Sequence, residues 1–96
     1  MKRMVNLLTL APARRFGMPS KGRLHEGLDG DVVLVDPTIV SKVKPENFLS
    51  KAKYSPFEGF ETRGRVEKTV VGGTIVFDRG KVVASAGTGE ILKRAR

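Results

Sequence analysis

The chain has no cysteine and no tryptophan, and only one histidine and one tyrosine. Without cysteine it can form neither a disulfide nor a thiolate metal site. That composition is compatible with a reducing compartment, and the expected localisation is cytoplasmic. No stretch approaches the roughly 20 apolar residues of a membrane span, so no membrane partner is expected. Lys2-Arg3 opens the chain, but Met4-Val5 and Leu7-Leu8 make only a short apolar run before Arg14-Arg15. That is too little for a signal peptide. Acid is also missing at the start: residues 1–25 contain Lys2, Arg3, Arg14, Arg15, Lys21 and Arg23 and no carboxylate side chain.

What remains is a chain of 96 residues, 40% hydrophobic, with a formal charge of +8. That length sets one small domain at most, hiding roughly 60–65% of its unfolded surface. The apolar content is enough for a core and argues against wholesale disorder. Met4, Leu7, Leu8 and Ala11 fall on one helical face. Pro12 divides the helix, because a proline is tolerated in a first turn and not in an interior. The pattern predicts one helix ending near Thr9 and a short second one over Pro12–Phe16. Thr9 or a backbone group must cap the second helix, and Gly17 offers a left-handed exit.

Residues 18–96 read as a small β-domain following this helical arm of residues 1–17. Gly17, Pro19, Gly22, Gly27 and Gly30 make the connection turn-rich. Val32–Val35, bounded by Asp31 and Asp36, predicts a strand covered on both faces. Ile39–Val43 predicts a second, weaker strand, followed by a loop or short helix around Glu46–Lys51. Residues 65–71 alternate as a half-buried strand does, and Gly72-Gly73 suits a two-residue hairpin turn. Ile75–Phe77, the turn Asp78-Arg79-Gly80 and Lys81–Ala84 complete a three-strand meander. Glu90–Arg96 reads as a short basic helix or a frayed tail.

Few residues here can carry chemistry. His25 lies in the turn Ser20-Lys21-Gly22-Arg23-Leu24-His25-Glu26-Gly27, and one imidazole cannot build a binuclear metal site. Asp29-Gly30-Asp31 lacks the further acidic ligands of a calcium loop and reads as a turn into a strand. No Gly-x-Ser-x-Gly elbow and no P-loop is present. The expected catalytic, cofactor-binding and metal residues are therefore none. Phe48, Tyr54, Phe57 and Phe60 are four of the six aromatic residues and sit within thirteen positions. They are the candidate docking surface, since a meander this small cannot bury every ring.

The phrase Phe48-Leu49-Ser50-Lys51-Ala52-Lys53-Tyr54-Ser55-Pro56-Phe57-Glu58-Gly59-Phe60, followed by Arg63-Gly64-Arg65-Val66, resembles the C-terminal end of dihydroorotases. These belong to the cyclic amidohydrolases, and allantoinases and dihydropyrimidinases are near alternatives. Leu7–Gly17 resembles the last barrel helix and an Asn-Pro-Ala-x-x-x-Gly segment, with Ala11 in the asparagine position. Gly22-Arg23-Leu24, Gly27 and Asp31–Asp36 resemble the exit from the barrel into the composite β-domain. The resemblance implies a mainly β fold with a short N-terminal helical arm. It would be the C-terminal part of a composite β-sandwich, with the TIM barrel absent apart from its last helix.

The resemblance also implies what is missing. The family's zinc ligands, an His-x-His pair, a carboxylated lysine, two more histidines and an aspartate, have no counterpart here. The chain is thus expected to be a truncated product or piece of a zinc-dependent enzyme that hydrolyses dihydroorotate reversibly in pyrimidine synthesis. By itself it would hold no zinc, show no activity and serve a structural or docking role. Its partners would be the missing barrel domain or a second copy, covering unpaired sheet edges. Two other readings stay open. One is a small basic nucleic-acid-binding module, recognisable by its salt dependence. The other is an adaptor that docks a partner through loop 48–60.

Overall fold

A computed structural model of the chain describes residues 1–94. Two short helices, α1 (Lys2–Leu8) and α2 (Leu10–Arg15), form the arm. They break at Thr9, where φ is −127° and ψ −78°. A continuous helix would leave the Leu8 carbonyl without a donor, because Pro12 has no N–H to give it. α2 starts at Leu10 rather than Pro12, which places the proline in the first turn. The Thr9 hydroxyl does not cap α2; it donates back to the Val5 carbonyl at 2.7 Å. The Thr9 carbonyl instead accepts the Ala13 amide at 3.1 Å.

The arm ends as the glycine suggested. Gly17 takes φ +68°, the Met18 amide donates to the Ala13 carbonyl at 2.9 Å, and the Gly17 amide donates to Arg14 at 3.4 Å. That pair of bonds is a Schellman closure. Turns then carry the chain to a single antiparallel sheet in the order β1 (Val32–Lys42), β2 (Glu61–Val71), β3 (Thr74–Asp78), β4 (Lys81–Val82). The described residues form this one sheet. Glu90–Arg94 has no regular structure, and the remainder of the expected terminal helix lies outside the described residues.

Two expectations for the strands need correction. The runs at 32–35 and 39–43 are one strand, not two, because both pair with β2. Between Asp36 and Val40 the register slips, so β1 bulges outward around Pro37 while Gly64 spans the gap on β2. A proline has no amide to give to a ladder, and the Asp36 carboxylate closes the excursion by accepting the Thr38 amide and hydroxyl at 2.9 and 2.6 Å. Nor does β2 alternate cleanly. Glu67 is an extra residue between the Lys68–Leu34 and Val66–Val35 pairs, and a bulge of that kind resets which face each side chain takes.

The turns follow local chemistry. Gly72 and Gly73 adopt φ +57° and +83° between the paired Val71 and Thr74, the signs of a type I′ turn. Arg79 (φ +46°) and Gly80 (φ +87°) make a second such turn. β4 stops at Val82 rather than Ala84, though the Val83 amide still donates to Val76 at 2.9 Å. At the other end of β2, the Val43 amide donates to Phe60 and the Gly59 amide to Val43, both at 2.9 Å, closing the neck of loop 44–60. Pro45 opens a 3₁₀ turn (Pro45–Asn47), shorter than the helix expected around Glu46–Lys51.

The fold buries little. Among the described residues only Ala13 and Pro45 are fully inside. The surface measures 8441 Å², against about 5,400 Å² for a compact chain of this length. The Cα radius of gyration is 15.6 Å, where a compact domain would have about 12.5 Å. The strand expected to be covered on both faces is open on both: Val33, Leu34 and Val35 are 55%, 51% and 57% exposed. Neither helix packs onto a strand.

Candidate functional site

The junction between arm and sheet holds a connected set of polar contacts. It begins at Gly22, whose φ is +100° and whose Cα lies against α2. A Cβ there would fall 2.8 Å from the Ala13 Cβ and 3.0 Å from the Leu10 Cα. Only glycine admits that approach and that φ together. Beside it, the Lys21 ammonium bonds the Asp31 carboxylate and sits 3.0 Å from Asp29 Oδ2. Ser20 donates its hydroxyl to the same Asp29 oxygen at 2.9 Å, and the Asp29 amide returns to the Ser20 carbonyl at 3.0 Å.

Asp31 then reaches the sheet. Its Oδ1 accepts the Gly72 amide at 2.9 Å, and the Gly30 carbonyl accepts the Gly73 amide at 3.0 Å. The clamp therefore ties the turn after α2 to the tip of the β2–β3 hairpin. The Lys21 hydrogen bond holds both carboxyls below the usual carboxylate range, with Gly72 adding to Asp31 and Ser20 to Asp29. The same bonds raise Lys21 above its ordinary value. Asp29 and Asp31 thus already face a cation.

An open groove of about 1,190 Å³ lies between the arm and β1. Met1, Val5, Leu8, Pro12 and Phe16 line one wall and Val32, Val33 and Val35 the other. Sequence reading chose a different helical stripe, Met4, Leu7, Leu8 and Ala11. The spacing 1, 5, 8, 12, 16 was equally legible, but the break at Thr9 obscured its continuity. The clamp was not foreseen, because nothing in the order Ser20, Lys21, Asp29, Asp31 marks them as neighbours.

The aromatic loop is laid out as follows. Phe48 is half-buried, while Tyr54 is 77% exposed. Phe57 and Phe60 are exposed and meet edge to face, with centroids 5.6 Å apart. Ser55 shapes the turn between them by accepting the Phe57 amide at 3.1 Å through its hydroxyl. Three exposed rings thus share one surface loop with the half-buried Phe48.

Zinc, which the resemblance implies for the parent enzymes, does not fit these residues. His25 is exposed, with Nδ1 2.8 Å from the Glu26 carbonyl oxygen. Among the described residues no group of three or more His, Cys, Asp or Glu converges. No hydrolytic step can be derived from this chain's own side chains.

The described residues thus form a four-stranded antiparallel sheet with a helical arm, and no metal-binding cluster converges among them. The sequence model of the Amidohydrolase family matches residues 1–76, and the chain belongs to that family. It is 39% identical over 94 residues to a D-phenylhydantoinase of Escherichia coli O127:H6, covering 97% of this chain and 20% of that protein. Among solved structures, an L-hydantoinase (dihydropyrimidinase) from Arthrobacter aurescens superposes with a TM-score of 0.88 at 38% identity, over 94% of this chain and 20% of that one. A dihydropyrimidinase from Brevibacillus agri gives 0.88 at 34% identity, over 95% and 20%.

This chain spans about one-fifth of the length of the curated relatives it matches. The family expected from sequence is the right one. The narrower expectation of a dihydroorotase is not supported: these relatives carry the hydantoinase and dihydropyrimidinase names held as near alternatives.

Proposed function

We propose that these 96 residues are the C-terminal structural domain of a hydantoinase- or dihydropyrimidinase-type cyclic amidohydrolase, and that they open no ring and bind no zinc by themselves. One observation carries the reading: nearly the whole chain superposes on one-fifth of such enzymes, at identities of 34–38%. Two features of the molecule support it. No metal-binding cluster forms among the described residues, and the apolar surface left open is that of a domain meant to be covered. The hydantoinase branch is preferred to the dihydroorotase one on the names of the relatives.

In this role the chain would dock on a barrel-bearing partner, with Tyr54, Phe57 and Phe60 as contact rings. The test is complementation. The E. coli D-phenylhydantoinase would be made without its matching fifth and co-expressed with this chain. Restored soluble, zinc-loaded, hydantoin-opening enzyme is expected, and a dihydroorotase treated the same way should not be restored. Zinc binding or ring opening by the purified chain alone would sink the proposal.

A further inference from the structure

An asparagine or aspartate side chain can be attacked by the backbone nitrogen that follows it, and in this chain those nitrogens are not alike. Leu7, after Asn6, lies inside α1. The Phe48 amide, after Asn47, donates to the Pro45 carbonyl at 3.0 Å, and the Arg79 amide, after Asp78, to Glu67 at 2.8 Å. Pro37, after Asp36, has no N–H. Val32, after Asp31, opens β1 and carries a branched Cβ that crowds its own nitrogen. Gly30, after Asp29, differs from all of these. It is exposed, its amide makes no hydrogen bond among the described residues, and it has no side chain to obstruct approach.

The Asp29 carboxylate is held back from that nitrogen. Its Oδ2 accepts the Ser20 hydroxyl at 2.9 Å and lies 3.0 Å from the Lys21 ammonium. The two contacts fix the side chain, and the Lys21 hydrogen bond keeps the carboxyl ionised. Ring closure needs the opposite, a mobile and protonated carboxyl, because a neutral acid can release water and a carboxylate cannot. We propose that Asp29-Gly30 is a site of isoaspartate formation, restrained by the Ser20–Lys21 hold and released when that hold opens.

In the first step the Gly30 nitrogen bonds Asp29 Cγ, and the carboxyl hydroxyl leaves with the amide proton as water. Water then adds to the former main-chain carbonyl of Asp29 and breaks its bond to nitrogen. The mass is unchanged, but the main chain now runs through Cβ and Cγ and is one atom longer. That atom enters just before the Gly30 carbonyl and the Asp31 carboxylate, which accept the Gly73 and Gly72 amides at 3.0 and 2.9 Å. Isomerisation therefore detaches the junction from the hairpin tip.

The full chain is aged near neutral pH at body temperature, and isoaspartate is located by electron-transfer fragmentation. It should form at Asp29 and not at Asn6, Asp31, Asp36, Asn47 or Asp78. Lys21→Met should speed conversion at least about threefold, the weight of an exposed ion pair, and Lys21→Arg should restore the slow rate. Ser20→Ala keeps the ion pair and should give a smaller rise; it decides the matter if Lys21→Met alters the circular dichroism. In the converted fraction the Gly72 and Gly73 amides should exchange faster with solvent, while the Arg79 amide keeps its protection. No isoaspartate at Asp29, or rates in the Lys21→Met and Ser20→Ala variants equal to that of the unaltered chain, overturns the proposal. So does unchanged exchange at Gly72 and Gly73 after conversion.

Discussion

The junction at residues 20–31 and the strand β1 sit side by side and are finished to different degrees. At the junction the clamp residues have partners inside the chain: Lys21 has two carboxylates, Asp31 has Lys21 and the Gly72 amide, and Asp29 has Lys21 and Ser20. Along β1, Val33, Leu34 and Val35 keep more than half their surface in water. Hydrogen bonds and turns are short-range and directional, so a chain can complete them alone. Burial of apolar area needs mass on the other side. The contrast therefore says that this molecule specifies its own geometry but not its own core.

The contrast would break most visibly at Gly22. Gly22→Val combines a left-handed φ with a Cβ placed inside Ala13 and Leu10. Strain and overpacking together should cost about 2–4 kcal/mol. Amide exchange should show lost protection at Ala13 and Met18 while the β2–β3 amides stay protected. Retained protection in the arm would mean that the close approach is not what holds it. Gly73→Ala meets no atom within 4 Å, so only its φ of +83° is at stake. A loss of about 1–2 kcal/mol is expected in the denaturant midpoint.

Those two glycines also mark how far the sequence could be read. Gly72-Gly73 and Gly17 announced their turns because a positive φ is a property of the residue itself. The merging of 32–35 and 39–43 into one strand was hidden, since it depends on Arg63–Arg65 pairing across Pro37. The clean alternation expected of 65–71 fails at Glu67 for a like reason: a bulge belongs to a pair of strands. Its carbonyl has a use, accepting the Arg79 amide at 2.8 Å at the next turn. Val32–Val35 reads as a covered strand because its composition suits burial, and composition does not say which chain supplies the cover. The family was legible in the order of its phrases, whereas the branch within it depends on pieces that these relatives share.

The open side of the comparison is sharpened by Leu34→Ala. A buried leucine cut to alanine typically costs about 2–5 kcal/mol. Leu34 is half-exposed on the face of β1 away from the groove, so the loss should stay below about 1 kcal/mol by equilibrium unfolding. The dye-binding signal of exposed apolar surface should fall at the same time. A loss in the range of a core leucine would show that β1 is already covered in solution.

The smallest effect tests the closed side. Asp31, Asp29 and Asp36 all titrate below their ordinary 3.8, the first two through Lys21 and Asp36 through Thr38. A depressed carboxyl contributes stability above its unfolded value and loses it as pH falls through the folded one. Lys21 is raised above 10.5, so its share is present below that value and lost only as pH climbs past it. The clamp should thus be constant between about pH 5 and 10 and weaken on either side. The groups are solvent-exposed, so the change in overall stability will be slight, and the amide shifts of Gly72 and Thr38 are the better gauge. Both should move below pH 4, Gly72 with Asp31 and Thr38 with Asp36. Asp31→Asn keeps an oxygen for the Gly72 amide but removes the charge facing Lys21. It should abolish the acid step at Gly72 and leave the one at Thr38. If the Gly72 step survives in that variant, Asp31 is not the group joining the junction to the hairpin, and the closed side of the comparison opens too.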